Sequence, residues 1–122
     1  MNRLHTLLCL DFTGHELDDI HWQQIDRFAE KRLIVSKRDL PAQIDADGLL
    51  VKLGAQIDEK LLNMLPKLRY IGMFGTGFGG IDIAAVQRRG ITVANLTDYA
   101  TEGVAEFTFA ILLEYLRDIA KA

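Results

Sequence analysis

Apolar residues fall along this chain in two alternating patterns, short continuous runs and stripes at helical spacing. Leu4 to Leu10, Leu33 to Ser36 and Gly48 to Leu53 are runs with the length and content of buried strands, and Tyr70 to Phe74 and Thr92 to Ala94 supply a fourth and a fifth. Leu17, Ile20, Ile25 and Phe28 form a stripe on a helix predicted over His15 to Lys31, opened by Thr13-Gly14 and by acidic residues in its first turn. Asp58 to Met64 reads as a short helix stopped near Pro66, and Asp82 to Arg89 as another that closes at Gly90. Strands that are apolar throughout and joined by helices indicate an α/β fold built on a parallel five-stranded sheet with helices on both faces.

The last segment breaks this rhythm. From Val104 to Ile119 nearly every position is apolar, the exceptions being Glu106, Thr108, Glu114, Arg117 and Asp118. A helix apolar most of the way round needs more cover than one face of a small sheet provides. The expectation is a long C-terminal apolar helix buried on more than one side, either in a homodimer through residues 104–119 or against further protein.

Composition narrows the classes of function. With 122 residues the chain has room for one domain, and 49% apolar and 25% charged residues are ordinary for a globular protein. A net charge of −3, with basic residues dispersed, argues against a nucleic-acid surface. Met1 to Leu10 is too short to span a membrane and runs into Asp11, so a cytoplasmic protein is expected, with no membrane partner. Cys9 is the single cysteine and sits in an apolar strand, where an inert buried thiol is expected. His5, His15 and His21 lack the spacing of a metal site, and no metal is expected.

Candidate chemistry concentrates in Gly75-Thr76-Gly77-Phe78-Gly79-Gly80, which lies between the fourth strand and a helix that Asp82 can cap. A glycine-rich loop leaving a strand can turn its backbone amides toward an anion, because glycine permits close approach and unusual dihedrals. Gly75-x-Gly77-x-x-Gly80 also fits the spacing of a dinucleotide loop, but the next strand ends at Asn95 rather than at the acidic residue that would bind a ribose. Two other sheet proteins are excluded by their own chemistry. A phosphoacceptor domain needs an aspartate where Lys52-Leu53 end the third strand, and a flavin site needs a hydroxyl-rich loop where Asp11-Phe12-Thr13-Gly14 follows the first.

Four motifs occur in order: Leu65-Pro66-Lys67-Leu68-Arg69, the glycine loop running to Ile81-Asp82, Arg89-Gly90-Ile91-Thr92-Val93-Ala94-Asn95, and Thr101-Glu102-Gly103-Val104-Ala105-Glu106. Together they resemble the substrate-binding domain of the NAD-dependent D-2-hydroxyacid dehydrogenases over Ala46 to about Arg117. The resemblance implies a flavodoxin-like domain over residues 1–100 and, over 101–122, a connecting helix toward a nucleotide-binding domain absent from this chain. It implies that Thr76 and Gly77 hold the carboxylate of a small 2-oxo or 2-hydroxy acid, and that Lys52 and Leu53 line the pocket. Tyr99 matches a further pocket position, and Thr101 one near the nicotinamide. Gly79-Gly80 replace the acidic residue and Asn or His usual in the family, which predicts a looser loop. The hydride-transfer arginine, acid and histidine, and the NAD or NADP loop, belong to the second domain. No catalytic residue and no cofactor bound by this chain alone are therefore expected. Two readings stand at this point: the substrate domain of an oxidoreductase, or a stand-alone binding or dimerisation module without turnover.

Overall fold

The computed structural model describes residues 3–122. Five parallel strands, β1 (Leu4–Leu10), β2 (Ala29–Val35), β3 (Gly48–Lys52), β4 (Tyr70–Phe74) and β5 (Thr92–Ala94), form one sheet in the order β2-β1-β3-β4-β5. The order follows from connections of a single hand: the chain moves one way from β1 to β2 and the other way through β3, β4 and β5. Helix α1 (Asp19–Asp26) thus covers one face, and α2 (Glu59–Met64) and α3 (Ile83–Arg88) cover the other. The parallel five-stranded sheet is the one expected from the apolar runs, and its strand order is the flavodoxin-like order that the resemblance implies.

Period-two alternation in β1 divides the core. Leu8 and Leu10 join Leu49, Val51, Ile71, Leu61, Leu62 and Val86 beneath α2 and α3, while Leu7 and Cys9 join Phe12, Trp22 and Leu50 beneath α1. Both faces are buried, so the strand reads as an unbroken apolar run. Cys9 has no exposed surface, and burial pushes its thiol up to about 11, which keeps it protonated at neutral pH.

The first helix is shorter than its stripe suggests. Parallel pairing of Leu4 with Ala29 and of Thr6 with Lys31 draws residues 29–31 into β2, so the helix ends at Asp26. Ile20 and Phe28 are exposed, and the residue that anchors α1 is Trp22, 5% exposed. Trp22 meets Phe12 edge-on with ring centroids 6.1 Å apart and lies under the Arg32 guanidinium at 4.3 Å. Its indole donates to the Gly14 carbonyl at 3.2 Å.

Asp47 ties the leading ends of three strands together. Its carboxylate accepts from the amides of His5 at 3.0 Å and Thr6 at 2.9 Å and from Arg69 Nε at 3.1 Å. Burial pushes this carboxyl up, but those donors outweigh it and hold it below its ordinary value of 3.8. Replacing Asp47 with Ala should cost about 1–3 kcal/mol, because two amides and a guanidinium lose their acceptor. A carboxyl depressed by folding stabilises fully above its unfolded value, and that contribution fades as pH falls through the lower folded value. Urea unfolding should therefore separate wild type from Asp47→Ala at neutral pH, and the gap should narrow on acidification below 3.8.

The C-terminal helix finds no cover among the described residues. α4 (Thr101–Arg117) starts three residues before Val104, ends where Asp118 adopts a left-handed conformation, and leads into a 3-10 turn at Ile119–Lys121. Its side chains are not buried on any side: Phe107 is 67% exposed and Leu112 47%.

Candidate carboxylate site at the glycine loop

β3 and β4 run in register with Lys52 beside Phe74, so the residues that follow each strand, Leu53 and Gly75, meet at the trailing edge of the sheet. A side-chain carbon on Gly75 would lie 3.4 Å from Leu53, and one on Gly77 would lie 3.7 Å from it. Leu53 thus caps the glycine loop as its apolar wall, itself 71% exposed. Trailing strand edges are where open α/β sheets bind ligands.

The loop is fixed from three directions. Gly75 accepts from the Leu96 amide at 3.0 Å, and the Thr76 carbonyl accepts from the Asn95 side chain at 2.8 Å. Gly80 accepts from the Ile57 amide at 2.8 Å while Asp82 donates to the Ile57 carbonyl at 2.9 Å. A side-chain carbon at Gly80 would fall on the Ala55 carbonyl oxygen, so only glycine admits this approach. The second of the paired glycines therefore tightens the loop where its replacement of a bulkier residue predicted looseness. Beyond it, Glu59 of α2 accepts from Arg88 and Arg89, each at 2.6 Å, which ties α2 to α3. Those two guanidinium groups hold the Glu59 carboxyl below its ordinary range.

Among the described residues, the amides of Thr76 and Gly77 donate to no backbone or side-chain acceptor, and both residues are exposed. They are donors without a partner on a fixed loop. The start of α3 is different: Asp82 accepts there from the Ala85 amide at 3.0 Å, so its own carboxylate fills the position an anion would take. That arrangement does not fit a dinucleotide pyrophosphate, and neither does Asn95, a side chain spent on Thr76 where a ribose would need an acid.

Lys52 stands at the same edge, but its charge is answered. Its ammonium lies 2.7 Å from Glu16 Oε1 and 5.4 Å from the centre of the Phe12 ring. The helix predicted from His15 begins only at Asp19, so Glu16 lies in the loop after β1, and only the adjacency of β1 and β3 brings it to Lys52. Tyr99 is 66% exposed, and Thr101 is the first residue of α4, which has no side-chain cap. The structure joins Lys52 and Leu53 to Thr76 and Gly77 at one edge, and gives the Tyr99 and Thr101 side chains no hydrogen bond among the described residues. The described residues hold no cluster of three or more metal-ligating side chains.

A family profile described as "D-isomer specific 2-hydroxyacid dehydrogenase, catalytic domain" matches residues 18–121. The chain belongs to that family. Among curated proteins, the glyoxylate reductase of Thermococcus litoralis is 35% identical over 117 residues, which are 91% of this chain and 35% of that protein. The glyoxylate reductase of Pyrococcus furiosus is 32% identical over 98 residues, 80% of this chain and 29% of that protein. Two solved structures show the same fold at 24% identity. A D-lactate dehydrogenase from Aquifex aeolicus, complexed with NAD and lactic acid, has a TM-score of 0.74 and is matched over 94% of this chain and 37% of that one. An NADPH-dependent glyoxylate/hydroxypyruvate reductase from Sinorhizobium meliloti has a TM-score of 0.75, over 97% and 37%. This D-2-hydroxyacid dehydrogenase domain therefore spans about a third of the length of the relatives it matches. Among the described residues, no helix is long and apolar enough to cross a membrane.

Proposed function

We propose that this chain is the substrate-binding part of an NAD(P)-dependent oxidoreductase acting on the CH-OH group of D-2-hydroxy acids. Residues 1–100 form the binding domain, and residues 101–122 link it toward a nucleotide-binding domain. The observation that carries this reading is the pair of exposed, unpartnered amides at Thr76 and Gly77, on a loop pinned beside Leu53. Two adjacent, unpartnered N–H donors suit the carboxylate of a 2-oxo or 2-hydroxy acid, and Leu53 suits its carbon side. Lys52 serves the pocket rim through its pair with Glu16, Tyr99 closes over the substrate and Thr101 faces the nicotinamide once the second domain is in place. A lone buried thiol accords with a reducing cytoplasm.

This chain's own part in the reaction is to bind and orient the acid. NAD(P) supplies or accepts the hydride, and among the described residues neither the start of α3, filled by Asp82, nor Asn95 after β5 suits its pyrophosphate or ribose. The isolated chain should be inactive, and calorimetric titration with NAD should give no heat of binding at micromolar concentrations. Micromolar affinity for NAD would refute this part of the reading.

A second reading rests on a separate observation, the bare apolar surface of α4. The chain self-associates through residues 104–119, which removes Phe107, Phe109, Leu112 and Leu116 from water.

A further inference from the structure

The sheet changes direction between β1 and β3: from β1 the chain passes outward to β2 on one side, then returns to lay β3, β4 and β5 on the other. Loops leaving the trailing ends of two such strands part from each other, and the crevice between them is where open α/β sheets take ligands. Here one ion pair spans it. Lys52, the last residue of β3, places its ammonium 2.7 Å from Oε1 of Glu16, which belongs to the loop after β1. Lys52 also stands in register with Phe74, two residues before Thr76, so the pair borders the glycine loop.

Both partners are held in place. The Lys52 ammonium lies 5.4 Å from the centre of the Phe12 ring, and that ring packs edge-on against Trp22 and Phe74. The Glu16 amide donates to the Thr13 carbonyl at 3.3 Å, and the Trp22 indole holds Gly14 in the same loop. The two side chains are nevertheless 40% and 33% exposed, and an ion pair so open to water adds little to stability. Its consequence lies in charge. Beside two unpartnered amides that suit one carboxylate, the cation at this edge is already neutralised. An acid with one anionic group meets the amides and a neutral rim. An acid with a second anionic group must draw Lys52 away from Glu16, which sets two like charges side by side.

We infer that Glu16 is a specificity-determining residue: by occupying Lys52 it favours 2-hydroxy and 2-oxo acids with a single anionic group over those that carry a second. This selectivity rests on the carboxylate site proposed above at Thr76 and Gly77, and it adds which acids that site takes.

Nuclear magnetic resonance titrations of the isotope-labelled chain at low ionic strength test it, with glycolate and with tartronate, the same acid bearing a second carboxylate. Wild type should bind glycolate at least as tightly as tartronate. Glu16→Gln frees Lys52 and should shift the ratio of the two affinities toward tartronate at least tenfold. Lys52→Gln leaves the Glu16 charge unanswered and should shift the ratio the other way, which keeps the test open should Glu16→Gln fail to fold. The double variant should lose the gain of Glu16→Gln. A wild type that prefers tartronate, a ratio unmoved by either substitution, or a gain that survives in the double variant would overturn the role of Glu16, while glycolate-induced shifts at the Thr76 and Gly77 amides would leave the carboxylate site standing. No shift of those amides with glycolate would overturn the site and the selectivity together.

Discussion

Gly80→Ala should destabilise the domain by roughly 2–4 kcal/mol, an effect large for the addition of one methyl group. The new carbon would fall on the Ala55 carbonyl oxygen, which is backbone and cannot rotate away. Relief requires the glycine loop to lift from the β3–α2 connection, which breaks the hydrogen bond from the Ile57 amide to Gly80 at 2.8 Å. Gly79→Ala is the control. Nothing lies within 4 Å of a side-chain carbon there, and its φ is not in the left-handed region, so its effect should stay within about 0.5 kcal/mol. Chemical denaturation of the two variants side by side measures the difference. Equal midpoints would mean that Gly80 does not anchor the loop.

Trp22→Ala should cost more, about 3–5 kcal/mol, as expected for removing a buried indole. Trp22 is the main buried side chain of α1, so its loss opens a cavity between that helix, Phe12 and the sheet. Phe12 also packs edge-on against Phe74 at 5.4 Å, next to the strand end that leads into the glycine loop. The same indole holds Gly14 in the loop that carries Glu16 to Lys52, so the ion pair at the candidate site should loosen as well. Trp22→Phe keeps most of the packing and loses the hydrogen bond, which should cost about 1 kcal/mol from that bond alone. Thermal unfolding of the two variants separates packing from hydrogen bonding. A small effect for Trp22→Ala would show that α1 contributes little to the core.

Most of the sheet is legible in the sequence because most residues of β1, β3 and β4 are buried and their apolar runs admit little else. The first helix misleads because its polar and apolar residues keep a helical period beyond the point where pairing with β1 takes over at Ala29. Trp22, its true anchor, lies off the Leu17, Ile20, Ile25, Phe28 stripe. At the end of the chain, apolar content indicates a helix that one sheet face does not cover, and the described residues leave α4 exposed. At the site, the glycine loop is visible as composition, but the distinction between Gly79, which is open, and Gly80, which is pressed against Ala55, depends on a contact 25 residues away in sequence. The Lys52–Glu16 pair is hidden for the same reason, since 36 residues separate its partners.

Under the proposed function, the Thr76 and Gly77 amides hold the carboxylate of a small hydroxy acid. Nuclear magnetic resonance titration of the isotope-labelled chain with glycolate tests it most directly. Binding to these 122 residues should be weak, on the order of millimolar, because Thr76 and Gly77 lie open to water. The Thr76 and Gly77 amide signals should move most, with Leu53 methyl signals following along the same binding curve, and Gly80→Ala should abolish the response. Saturable shifts confined to other residues, with Thr76 and Gly77 unmoved, would contradict the claim.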